Sequence, residues 1–319
     1  MHEILRTLGL NGIIPVVAID NAAHAVPLAR ALEGGGLPCI EITFRTAAAA
    51  DAIAAIAREC PTMLAGAGTV LTVDQVKAAR DNGARYIVSP GLNRKVVEYC
   101  LAQGIPVTPG VSTPSDVEAA LDLGLEVVKF FPAEAAGGVK FLSALSGPYR
   151  QVRFIPTGGI DEKNLLSYLK LPRVHACGGS WMVKPEMINA GKFEEIQAIT
   201  AQAVSTMLGF ELRHVGINCS DADAALRYST AMAELIRIPV KQGNSSNFVG
   251  TGLEFLKGPG RGQHGHIAIG TNFIERGVAY LERRGARMIP ESRVEKDGRL
   301  TAIYLDMDVA GFALHLVQL

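Results

Sequence analysis

The sequence predicts an α/β protein in two parts: a compact (β/α)8 TIM barrel over residues 1–209, then an α+β domain over residues 210–319. Three observations carry this. From residue 12 to about residue 180, short apolar runs alternate with helical patterns that end in Gly, the rhythm of repeated βα units. Near residue 210 the order changes to β-α-β-β and then repeats, with a period of roughly fifty residues. The length of 319 residues suits one large barrel or two domains of ordinary size.

The expected barrel strands are GIIPVVAI (12–19), PCIEITF (38–44), MLAGAGT (63–69), ARYIVSP (84–90), IPVTPG (105–110), VVKFFP (127–132), RFIPTGG (153–159) and VHACGGS (174–180). Eight such runs fit a closed parallel barrel, and short connecting helices place it at the small end for this architecture. KFEEIQAITAQAVSTMLG (192–209) reads as a helix stopped by Gly209. Beyond it, HVGINCS, the helical DADAALRYSTAMAELI, NSSNFVG and GLEFLKG make one unit. GHIAIGT, the helical NFIERGVAYLERRG, then ARMIPES, LTAIYLDMD and FALHLVQ make the second. The joint Phe210–Arg213 has no Gly/Ser/Pro tract, so closely joined domains are expected.

Composition excludes several function classes. Hydrophobic residues make up 48% of the chain with 34 Gly, as in a well-buried α/β enzyme. Lys+Arg and Asp+Glu number 31 each, so no overall charge recommends nucleic acid or an anionic membrane as partner. Cys39, Cys60, Cys100, Cys177 and Cys219 are odd in number and scattered, without a C-x-x-C spacing, which predicts reduced thiols in a cytoplasmic protein. MHEILRTLGLNG lacks the apolar core of a secretory signal, and no run has the length of a membrane span.

Chemistry concentrates on Lys129, one amine inside the apolar run VVKFFPAE. A buried ammonium costs several kcal/mol, which favours the neutral, nucleophilic form. Such an amine forms a Schiff base with a keto substrate, and the imine accepts electrons from a neighbouring carbon–carbon bond as it breaks. The other reading is a Lys that snorkels from an edge strand, but Val127, Val128, Phe130 and Phe131 leave it no polar face. Barrel enzymes place their chemistry at the C-terminal ends of strands. There the sequence offers Glu41 and Arg45 after the second run, Thr69 after the third and Thr157 after the seventh. Thr69 and Thr157 read equally as helix N-caps or turn residues, and the lesser reading of Glu41 with Arg45 is a simple salt bridge. Gly158-Gly159 and Gly178-Gly179-Ser180 close adjacent strands, where barrels hold a phosphate on backbone N–H groups at a helix N-terminus.

With these residues in view, the first part resembles the class I aldolases that cleave 2-dehydro-3-deoxy-6-phosphogluconate and 4-hydroxy-2-oxoglutarate. The matching stretches are GIIPVVAI, EITFRT, GAGTVL, SPG, PVTPGVSTPSD, VKFFPAE, PTGGI and GGSWM, in order along nearly the whole barrel. The resemblance implies Lys129 as the Schiff-base lysine and Glu41 as general acid/base. It implies Arg45 as the clamp for the substrate carboxylate, and Thr69, Pro90, Phe131 and Thr157 as pocket lining. Gly158, Gly159, Gly179 and Ser180 would contact the distal phosphate. It further implies no cofactor beyond the lysine, a small phosphorylated keto acid as partner, and a homotrimer. A rival from another class is a barrel that only binds such an acid, with the appended domain carrying the activity.

That appended domain resembles the vicinal oxygen chelate group, the glyoxalase-like fold of paired βαβββ modules. At the positions of that group's metal ligands stand His214 in RHVGI, Glu254 in LEFLKG, His266 in GHIAI and His315 in FALHLVQ. His and Glu suit a divalent ion such as Zn, Ni, Mn or Fe. The group has Glu at the fourth place where this chain has His315, which leaves metal identity and chemistry open; His264 is a nearby alternative ligand. Strand histidines that hydrogen-bond without a metal are the other reading.

Overall fold

The computed structural model describes residues Met1–Leu319 as two compact units, Met1–Met207 and Leu208–Leu319. In the first, apolar strands alternate with helices: β1 Ile13–Val17, β2 Cys39–Thr43, β3 Leu64–Gly68, β4 Ile87–Val88, β5 Val107–Thr108, β6 Gly110–Val111, β7 Val127–Phe130, β8 Arg153–Pro156 and β9 Cys177–Gly179. All eight expected runs contain strand. The fifth is split in two because Pro109, lacking an N–H, interrupts its ladder. Pairing is parallel in the order β5-β4-β3-β2-β1-β9, and separately β6-β7-β8. Two parallel bridges, Phe154 to Val174 and Thr157 to Gly178, join the ladders at β8 and β9. Strands β1 and β2 are buried along their whole length, as expected where both faces are covered.

The helices between them start on side-chain caps. Thr72 accepts from Gln75 N–H ahead of Val73–Asp81, and Thr113 with Asp116 forms a capping box ahead of Pro114–Asp122, each cap contributing about 1 kcal/mol. A helix over Glu3–Asn11, for which the sequence reading had no signal, is capped by His2 and packs Leu5 and Leu8 into a core cluster with Ile14, Tyr86 and Ile155. Burying side chains of that size contributes roughly 1.5–3 kcal/mol each. The buried Tyr86 hydroxyl is satisfied by donating to Ile40 O at 2.9 Å. The expected helix at 192–209 runs over Phe193–Leu208. No helix is long and apolar enough to cross a membrane.

The second unit is two βαβββ units on one sheet. The strands are β10 Glu211–Asn218, β11 Val240–Gln242, β12 Ser246–Val249, β13 Leu253–Leu256, β14 Gly265–Thr271, β15 Val294–Lys296, β16 Arg299–Val309 and β17 Phe312–Gln318, with helices Ala222–Ile236 and Ile274–Arg283. Their order, β11-β12-β13-β10-β14-β17-β16-β15, repeats one arrangement about the β10/β14 pair. Each helix covers its own half: Ala224 and Ala225 pack with Val249 and Phe255, and Ile274 with Ile303 and Leu316.

One expected strand is corrected. ARMIPES forms a 3-10 turn at Pro290–Ser292, with Met288 making a single bridge to Leu305, because Pro290 has no N–H for a ladder. The strand follows instead at β15. Both β15 and β11 are short, largely exposed edge strands, whose polar residues carry little periodic signal.

Candidate active site

Lys129 is the third residue of β7 and is 5% exposed; Glu41 is the third residue of β2 and is 3% exposed. Lys129 Nζ lies 3.5 Å from Glu41 Oε1 and 5.2 Å from the centre of the Phe131 ring. The amine therefore does have a polar neighbour, one that its own strand could not reveal. Space for the carboxylate comes from Gly68 at the end of β3, where a Cβ would stand 2.2 Å from Glu41 Oε1.

The alternative reading, a simple salt bridge between Glu41 and Arg45, is not what forms. Arg45 is exposed and its Nε donates to Thr43 Oγ1 at 3.1 Å, while Thr43 donates to Val17 O at 2.8 Å. The guanidinium is thus tethered to the last residue of β2 and open to solvent. Thr69 and Thr157 are not helix caps: Thr72 caps the helix after β3, and no helix begins before Leu165 after β8. Thr69 instead has φ +56°, a left-handed conformation strained for a β-branched residue. Thr157 is buried and its N–H donates to Phe130 O at 2.9 Å. Pro90 and Phe131 are half-buried, and the Pro90 carbonyl approaches Gly110 so closely that a Cβ there would be 2.0 Å from it.

Gly158 and Gly159 have φ of +100° and +80°, values that glycine alone adopts freely. Gly179 ends β9, and a Cβ on it would meet the Trp181 ring at 1.8 Å; Ser180 follows, exposed. The expectation of a helix N-terminus behind these glycines is corrected. The nearest helices, Leu165–Leu169 and Pro185–Asn189, are short and begin several residues later, so Gly158 and Gly159 form a backbone turn while Gly178 and Gly179 close β9. Gly68 and Trp181 escaped the sequence reading, because only their neighbours across strands or turns show what they do.

In the second unit, His214 on β10, Glu254 on β13, His266 on β14 and His315 on β17 lie on four adjacent strands. His214 Nε2 and His266 Nε2 are 3.0 Å apart, and Glu254 Oε2 is 3.2 Å and 3.1 Å from them. Gly216 makes room, since a Cβ on it would meet His266 Cε1 at 2.2 Å. The Glu254 carboxylate also accepts from Ser246 Oγ at 2.6 Å. Burial pushes Glu254 up, but hydrogen bonds from His214, His266 and Ser246 outweigh it and hold the group well below the usual carboxylate range. His315 has a ring nitrogen within 4.8 Å of those of His214 and His266 and stacks on Tyr304 with ring centres 4.6 Å apart. Burial, then His266 and His214, push it down to about 3. His264 lies outside this group, packed against Phe312. Tyr304, absent from the sequence reading, sits opposite His315 in the ladder.

Comparison with known proteins locates the first unit. Residues 2–199 match the family model described as KDPG and KHG aldolase. The 2-dehydro-3-deoxy-phosphogluconate aldolase of Treponema pallidum (strain Nichols) is 53% identical over 204 residues, covering 64% of this chain and 97% of that protein. The KHG/KDPG aldolase of Escherichia coli (strain K12) is 45% identical over 192 residues, covering 60% and 90%. Among solved structures, the KDPG aldolase of Legionella pneumophila with pyruvate captured as a covalent carbinolamine superposes with a TM-score of 0.62 at 39% identity, covering 63% of this chain and 98% of that one. The Zymomonas mobilis ZM4 aldolase with 3-phosphoglycerate gives 0.59 at 40% identity, covering 64% and 95%.

Proposed function

Because the chain belongs to the KDPG and KHG aldolase family, we propose that its first unit is a carbon–carbon lyase working through a Schiff base on Lys129. The substrate is 2-dehydro-3-deoxy-6-phosphogluconate, cleaved to pyruvate and glyceraldehyde 3-phosphate; 4-hydroxy-2-oxoglutarate is a second substrate, giving pyruvate and glyoxylate. The observation that carries this is the buried pair of Lys129 Nζ and Glu41 Oε1, 3.5 Å apart. The amine attacks C2 of the keto acid, and loss of water gives the iminium. Deprotonation of the C4 hydroxyl then breaks the C3–C4 bond, its electrons entering the iminium to form an enamine as the aldehyde leaves. Protonation of C3 and hydrolysis release pyruvate. These proton transfers fall on the neighbouring positions C2, C3 and C4, so a single adjacent carboxylate serves them in turn.

Arg45, exposed just past the end of β2, would match the substrate's planar carboxylate with two parallel hydrogen bonds. Thr69, Pro90, Phe131 and Thr157 would line the pocket. Gly158, Gly159, Gly179 and Ser180 would take the phosphate on backbone N–H groups, a role that the positive-φ turn at Gly158 and Gly159 suits. The two bridged parallel ladders are read as one closed (β/α)8 barrel, in a cytoplasmic homotrimer whose domains divide near residue 209. Trapping tests the central assignment: pyruvate with borohydride should leave a reduced adduct on Lys129. A label on Lys140 or Lys184, or none, would refute it.

A second reading concerns residues 210–319, read as a glyoxalase-like domain binding one divalent metal through His214, Glu254, His266 and His315. The hydrogen-bond arithmetic favours it. Two imidazole Nε2 atoms 3.0 Å apart that both face Glu254 Oε2 crowd their N–H protons together, and neither offers the other an acceptor while both donate to the carboxylate. Three donors mutually about 3.0–3.4 Å apart are what a metal with ligand distances near 2.1 Å requires. His266 Nδ1 and both ring nitrogens of His315 are buried without hydrogen-bond partners.

A further inference from the structure

Glu134 has no role in the site as described, yet it touches both halves of it. Its N–H donates to Gly158 O at 3.0 Å, and that of Ala133 to Thr157 O at 2.8 Å. Its side chain lies against Gly159, where a Cβ would be 2.6 Å from Glu134 Cγ. Its Oε1 accepts a hydrogen bond from the Tyr168 hydroxyl on the helix Leu165–Leu169. The Tyr168 ring is fully buried, and burial, then Glu134, push its hydroxyl well above the usual range, so it remains a donor. The third carbonyl of the turn, Gly159 O, is held by Asn164 Nδ2 at 2.9 Å. In a trans peptide the C=O and the following N–H point to opposite sides. Fixing the carbonyls of 157, 158 and 159 therefore aims the N–H groups of 158, 159 and 160 the other way.

We propose that Glu134 is a positioning residue that, clasped by Tyr168, locks the 157–160 turn to the loop following Lys129 and so sets the span between the imine-forming amine and the phosphate cradle. This rests on the aldolase reading above. The clasp needs an acceptor and not a charge, for a carboxylate near a phosphate is itself repulsive. Geometry and electrostatics therefore predict opposite effects for loss of the side chain.

The test uses the full chain and its single tryptophan, Trp181, whose ring lies against Gly179, as a fluorescence reporter of inorganic phosphate. Tyr168→Phe and Glu134→Ala should raise KM for the phosphorylated acid roughly 10- to 100-fold, the scale of a small misplacement, and weaken the phosphate titration in parallel. Turnover of 4-hydroxy-2-oxoglutarate should stay within about twofold, and Glu134→Gln, whose amide oxygen still accepts from Tyr168, should behave as wild type. Equal losses on both substrates, or phosphate bound as well or better by Glu134→Ala, would overturn the proposal. Tyr168→Phe, which keeps the buried ring, decides the matter if Glu134→Ala does not fold. Failure of pyruvate to label wild-type Lys129 would instead strike the aldolase reading itself.

Discussion

Gly68→Ala isolates the position of Glu41 from its chemistry. The added methyl would stand 2.2 Å from Glu41 Oε1, 2.8 Å from Cδ and 2.7 Å from Cγ, whereas ordinary contact begins at 3.4 Å. Gly68 does not have positive φ, so the backbone accepts alanine, and the atom struck first is the far end of a flexible side chain. Relief therefore falls on the carboxylate, which must shift by roughly an ångström out of its place 3.5 Å from Lys129. A misplacement of that size costs on the order of 100-fold in rate, while overpacking should cost the fold only about 1–3 kcal/mol. Steady-state kcat on the phosphorylated acid, thermal unfolding and borohydride trapping of pyruvate are the measurements. We expect kcat to fall by about two orders of magnitude with Lys129 still labelled, and Glu41→Gln to fall by roughly two to four. Near-normal kcat in Gly68→Ala, with loss in Glu41→Gln, would refute the claim that the carboxylate must sit where it does. Near-normal rates in both would remove Glu41 from proton transfer.

Gly179→Val drives its side chain into the Trp181 ring, so it should weaken phosphorylated substrates far more than 4-hydroxy-2-oxoglutarate; equal losses in the two kinetic series would mean general damage to β9. Elemental analysis after dialysis should find close to one divalent ion per chain, lost in His266→Ala with aldolase turnover unchanged, and a metal-free wild type equally stable in chelator would show the histidines to be structural. In the chelated protein, His315 is held down to about 3 against an ordinary 6.5, so the unfolded chain takes up the proton first as pH falls. Its contribution to stability is complete above about 6.5 and drains away between there and about 3; thermal unfolding at stepped pH should show that loss, much reduced in His315→Phe, and equal slopes in the two proteins would refute it.

The elements of the first unit were legible because a buried parallel strand is a short apolar run, whichever strand it pairs with. Lys129 stood out for the same reason, as one amine in an unbroken apolar stretch. The paired units of the second domain announced themselves as a repeat, and its strand histidines as candidate ligands. Features that depend on neighbours distant in sequence were invisible. Glu41 meets Lys129 only because β2 and β7 bring their third residues together, and Gly68 matters only because that carboxylate fills the space its missing Cβ leaves. Arg45 could not be separated from Glu41 by spacing alone, since its bond to Thr43 depends on side-chain direction. The exposed edges β11 and β15 have too little buried surface to imprint a period. Local propensity and the hydrophobic pattern thus determined which segments form elements and which residues carry reactive groups. Only the tertiary structure decided which groups meet, because contacts between distant segments depend on strand register and on the volume left by glycine.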